Sequence, residues 1–90
     1  MASKTFKIGE CAVGGIIRVN TNGEKVEVHS MDWNTKDILS KYEINLKREG
    51  ARQDIVNVLE ELTTHYYADN IMKWLETKVT IKPHSFFPSW

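Results

Sequence analysis

Between Gly50 and Glu76 the chain runs GARQDIVNVLEELTTHYYADNIMKWLE, a helical pattern whose apolar side changes midway. Ala51, Ile55, Val58, Leu59, Leu62 and Tyr66 fall within about 50–60° of one line at 100° per residue, the stripe of an amphipathic helix. Asp54, Glu60 and Glu61 lie away from it. Tyr67, Ala68, Ile71, Met72, Trp74 and Leu75 form a second stripe, centred roughly 180° from the first on a continuous helix. A straight helix would bury one half and offer the other to a partner. A break gives two helices, each turning its own stripe to a common core. Thr63 and Thr64 are modest helix formers, which allows a break without forcing one; because a monomer must also hide Trp74 and Leu75, the sequence favours a break at Thr63–His65.

Everything upstream reads as short strands and turns. Thr5-Phe6-Lys7-Ile8 alternates, with Phe6 and Ile8 on one face. A glycine-rich joint, Gly9 to Gly15, leads to a second strand with Ile17 and Val19 inward. Thr21-Asn22-Gly23-Glu24 supplies a tight turn, and Lys25–Met31 returns with Val26 and Val28 inward. After a polar loop around Trp33, Ile38–Ile44 reads as a strand with Ile38, Ser40, Tyr42 and Ile44 on one face. Val79-Thr80-Ile81 is expected to form a short last strand. The fold class that follows is α+β: an antiparallel sheet of four to five short strands, an N-terminal meander, with one long or two shorter helices packed on one face. Residues 1–90 form a single domain, with 83–90 as an aromatic tail.

Composition narrows the function classes. Twelve basic and twelve acidic side chains cancel. That argues against a dedicated duplex binder or a charge-driven membrane binder. One cysteine, Cys11, excludes an internal disulfide and suits a reducing, cytoplasmic setting. No signal-peptide core or membrane-spanning stretch is visible in the 90 residues.

No set of residues makes a convincing catalytic or metal centre. Cys11 with His29, His65 or His84 lacks a tight ligand pair such as Cys-x-x-Cys or His-x-x-x-His. His65 stands four residues after Glu61, the spacing of a helical ion pair. The glycine-rich joint lacks the Gly-Lys-Ser/Thr ending of a phosphate loop. No cofactor and no metal are expected, and no enzymatic activity.

Binding candidates remain. Lys47, Arg48 and Arg52 cluster where the helix begins, a plausible place for an anion or a partner's carboxylate. Trp33, Trp74, Phe86, Phe87 and Trp90 are candidate anchors for a partner, because buried aromatics commonly dominate interfaces. The expectation is a small non-catalytic protein-binding or regulatory domain, an inhibitor or adaptor of a larger enzyme or complex, as a monomer or homodimer away from membranes. The competing expectation is nucleic-acid binding, with the basic helix start and Trp33 stacking on bases. Deleting Phe86–Trp90 discriminates two roles for the tail: a large fall in melting temperature marks it as core, and unchanged stability with lost binding marks it as an anchor.

Overall fold

A computed structural model describes residues 2–81. Four strands, β1 (Ala2–Lys7), β2 (Gly15–Thr21), β3 (Lys25–Asp32) and β4 (Ile38–Asn45), form one antiparallel sheet in sequence order. Two helices follow, α1 (Ala51–Leu62) and α2 (His65–Glu76). This is the expected α+β meander, with four strands. Val79–Ile81 is not a strand; Val79 and Ile81 instead pack half-buried against the core. The aromatic tail, including His84, Phe86, Phe87 and Trp90, lies outside the described residues.

The period-2 pattern sets the core face. Ile17 and Val19 of β2, Val26 and Val28 of β3 and Ile44 of β4 are buried against the helices. The register is fixed by pairings such as Val19 with Val28 and Val26 with Ile44. Both tight turns are closed by side chains. Asn22 Oδ1 accepts the amides of Glu24 and Lys25 (2.9 and 3.0 Å), while Gly23 takes the left-handed conformation. Asp32 Oδ1 accepts the amides of Asn34 and Thr35 (2.8 and 2.9 Å) in the β3–β4 loop. Those two bonds favour the ionised form and hold the Asp32 carboxyl below its ordinary range.

The helical stretch does break. Thr63 and Thr64 are both extended, and α2 starts afresh at His65. Ala51, Ile55, Leu59 and Leu62 of α1 and Ala68, Ile71, Met72 and Leu75 of α2 then enter one core. The Arg52–Glu76 ion pair (3.6 Å) brings the start of α1 to the end of α2, so the helices run antiparallel. Helix α1 lies over β3 and β4. On the other side Trp74 of α2 meets Phe6 of β1 edge-on, with ring centroids 5.8 Å apart. Two helices thus span the width of the four-stranded sheet.

The break is tied to the glycine-rich joint. Ala12 forms an isolated antiparallel bridge with Thr63, and the Val13 amide donates to the Leu62 carbonyl (2.9 Å). A short 3₁₀ turn, Gly9–Cys11, precedes that bridge. The chain re-enters the sheet through Gly14 and Gly15, both at positive φ. At Gly14 a side chain has no room: a Cβ would stand 2.5 Å from the Met31 carbonyl oxygen and 2.6 Å from Leu39 Cδ1.

Gly14→Ala is expected to cost about 2–4 kcal/mol, combining the left-handed penalty with displaced neighbours. Gly23→Ala meets nothing within 4 Å and should cost only the backbone term, about 1–2 kcal/mol. Denaturant titration of both variants checks the contrast.

Candidate functional site

The basic residues at the start of α1 sit at the β2–β3 turn end of the sheet, where Leu46 donates to the Glu24 carbonyl (2.8 Å). Each has a carboxylate beside it. Lys47 pairs with Glu24 (3.9 Å), Arg48 with Asp54, and Arg52 with Glu76 (3.6 Å). The α1 N-cap is Gly50, left-handed and without a side-chain cap. Any anion arriving here competes with three carboxylates already in place.

Trp33 lies at the other end of β4. About seven strand residues, some 23 Å, separate it from the basic cluster. The two do not form one surface. Its amide donates to the Gly14 carbonyl (2.7 Å), which pins the β3–β4 loop onto the glycine joint. Lys36 sits over its ring at 5.3 Å and donates to its carbonyl (2.5 Å). Lys36 itself is held at φ 65°, unusual for a residue with a side chain.

Around Trp33 the chain exposes apolar surface. Val13, Trp33, Ile38 and Leu39 are 47%, 47%, 53% and 50% accessible. Two of them stand at the glycines: Leu39 Cδ1 lies 2.6 Å from where a Gly14 Cβ would be, and Trp33 Cβ lies 3.1 Å from where a Gly15 Cβ would be. The reason for the exposure of Ile38 is local. A bulge between Ser30 and Met31 pairs Ser30 with Ser40 and Met31 with Ile38, leaving Leu39 as the extra residue. Ser40, Tyr42 and Ile44 keep the core-side parity, but Ile38 is rotated off it. The expected Ile38–Ser40–Tyr42–Ile44 face is therefore corrected at its first member. Beside Trp33 an open recess of about 390 Å³ is lined by Gly9, Glu10, Ala12, Gly14 and Gly15. That lies near the lower end of the roughly 300–1,000 Å³ of small-ligand sites.

Trp74, the other described tryptophan, is half-buried against Phe6 and engaged in packing. The two described histidines, His29 and His65, do not converge into one site. His29 is buried on β3, with Nε2 3.1 Å from Glu27 Oε1 and no partner at Nδ1 among the described residues. His65 lies in the helical layer, at the α1–α2 joint. Among the described residues no group of three or more His, Cys, Asp and Glu could hold a metal ion. No described helix is long and apolar enough to cross a membrane.

His65 pairs with Glu60 (2.5 Å) rather than with Glu61, because the break resets the helical phase at Thr63–Thr64. The sequence reading captured the exposed Trp33 but not the patch around it. The available signal was the adjacent pair Ile38-Leu39, which cannot both face one core in an alternating strand. In comparisons with protein-family models, curated proteins and solved structures, nothing matches this chain.

The hydrogen bond to Glu60, and then its charge, raise the His65 pKa above the ordinary 6.5. The folded state therefore binds this proton more tightly than the unfolded chain. The pair's contribution is fully present below about pH 6.5 and is lost as pH rises through the raised folded value. An NMR titration of the His65 ring should show a midpoint above 6.5 that falls on Glu60→Gln.

Proposed function

We propose that this protein is a non-catalytic, cytoplasmic protein-binding domain that engages its partner at the sheet end built by Val13, Trp33, Ile38 and Leu39. The carrying observation is that Trp33 and Leu39 stand about half-exposed against Gly15 and Gly14, with half-exposed Val13 and Ile38 next to Gly14 and Leu39 in the chain, whereas the other exposed large apolar side chain, Tyr66, stands apart in the helical layer. Leaving such a cluster in water is unfavourable, and covering it releases about 25 cal/mol per Å² of apolar area. The recess beside Trp33 has backbone-lined walls and the volume for one inserted side chain of a partner. A tryptophan next to such a recess, held by its own amide and by Lys36, is pre-ordered and loses little freedom on binding. The partner chemistry that fits is an apolar segment of another protein, so that the domain acts as an inhibitor or adaptor of a larger enzyme or complex. Phe86, Phe87 and Trp90, outside the described residues, are candidates for the same class of contact.

Nucleic-acid binding is the weaker reading. It needs Trp33 and the cations on one surface, and they stand at opposite ends of β4 with each cation already paired.

Trp33→Ala and Leu39→Ser should leave the melting temperature within a few degrees of the parent, since both side chains are about half-exposed. Both should weaken partner capture from lysate about tenfold or more. Capture that survives both substitutions, or that disappears on nuclease treatment, overturns the assignment.

A further inference from the structure

We propose that the chain self-associates through the free edge of β4, as a two-fold dimer in which Lys41 of each copy faces Glu43 of the other. This goes beyond the apolar sheet end and does not rest on it. Among the described residues the sheet has two open edges, β1 and β4. An open edge presents unpaired backbone donors and acceptors, which natural sheets either blunt or use for pairing. The two edges differ in kind. β1 carries Lys4 and Lys7 and no acid, so pairing it with its own copy only adds positive charge. β4 carries Lys41 and Glu43, one of each sign, both exposed and both on the face away from the helices.

Register then decides. Outward backbone groups alternate along an edge strand, so an outward residue must oppose an outward residue of the other copy. Only registers that keep parity are open, and those also place both helical layers on the same side. With the axis at Tyr42, Lys41 opposes Glu43 of the other copy, twice by symmetry. With the axis at Lys41 or at Glu43, a like-charged pair meets itself. Axes at Ser40 or before it run into the bulge at Leu39, and axes at Ile44 or beyond carry Lys41 past the end of β4 at Asn45. Within the regular stretch Ser40–Asn45, the Tyr42-centred register alone brings opposite charges together, over Ser40–Ile44 and short of the bulge at Leu39.

The charge around Glu43 supports the same answer. Within the chain, Glu43 stands directly across from Glu27, a like-charged cross-strand pair. Lys25 reaches Glu43 (3.3 Å) and Lys41 reaches Glu27 (3.8 Å), both from within the sheet. The outer side of Glu43 faces the free edge, and a Lys41 from a second copy supplies a cation there.

Sedimentation equilibrium across a wide concentration range tests this, with circular dichroism as the folding control. The parent should reach a dimer and no larger species. Lys41→Glu should weaken association about tenfold or more by turning two attractive pairs into repulsive ones. Adding Glu43→Lys to that variant should restore it. A chain that stays monomeric, a polymer, a dimer indifferent to Lys41→Glu, or a folded double variant that fails to recover each overturns the proposal. On the parent alone, alternate amides within Ser40–Ile44 should lose hydrogen-exchange protection on dilution, and protection independent of concentration counts against it. Trp33→Ala should leave the dimer unchanged, so this outcome and that of the partner-binding assignment are read separately.

Discussion

Both helices can bury their apolar stripes on the same sheet only because the chain turns at Thr63–Thr64. On an unbroken helix, Ile71, Met72 and Leu75 would point away from Ile55 and Leu59. Two extended residues reset the phase, and all five side chains end fully or almost fully buried in one core. Neither helix start is held by a side-chain cap, so intrinsic helix signals do little to fix the break. Tertiary contacts fix it instead. Thr63 bridges to Ala12, and the Leu62 carbonyl, one of the unsatisfied groups at a helix end, accepts the Val13 amide. The joint between the first two strands therefore serves as the clamp on the helical hairpin.

That clamp has a consequence at the surface. To bring Ala12 and Val13 to the helix end and still feed β2, the chain must pass through Gly14 and Gly15 against β3 and β4. No side chain at Gly14 fits, and the close approach leaves Trp33 and Leu39 on its two sides without a covering layer. The Val13 carbonyl is meanwhile held by the buried Ser30 hydroxyl (2.6 Å), which ties the same loop to the sheet. The exposed apolar end is thus rigidly built, a by-product of how the helical break is anchored. A surface fixed by backbone hydrogen bonds on both sides is well suited to recognition, because ordering it costs little at the moment of binding.

Local period carried most of the fold in the sequence. Alternation in β2 and β3 and the 3.6-residue stripes of α1 and α2 each report which side of an element faces the core, and the break follows from comparing the two stripes. What local period cannot report is a one-residue slip in pairing. The bulge opposite Ser30–Met31 has no strong sequence mark, and it alone decides that Ile38 leaves the core face. The fate of Val79–Ile81 was hidden for a related reason. Three residues of strand composition become a strand only if an edge receives them, and they pack on the core instead. The ion pairs were likewise illegible, since Lys47 with Glu24 and Arg52 with Glu76 join residues far apart in sequence.

Those long-range ion pairs bear on what this surface can recognise. A chain with equal numbers of acids and bases could still carry a one-signed patch if its charges were segregated. Here many are interleaved, outside the basic β1 edge: Lys25 with Glu43, Lys41 with Glu27, Lys73 with Asp69, and the three cations near the start of α1 each with a carboxylate. Such exposed pairs add little stability individually, but together they cancel the far field that would steer a polyanion from a distance. On the proposed protein-binding reading, the partner would then be held by contact rather than by long-range attraction. Among the described residues, four of the five exposed large apolar side chains, Val13, Trp33, Ile38 and Leu39, belong to the loops and strand start at the end of the sheet furthest from the basic helix start; the fifth, Tyr66, is on α2.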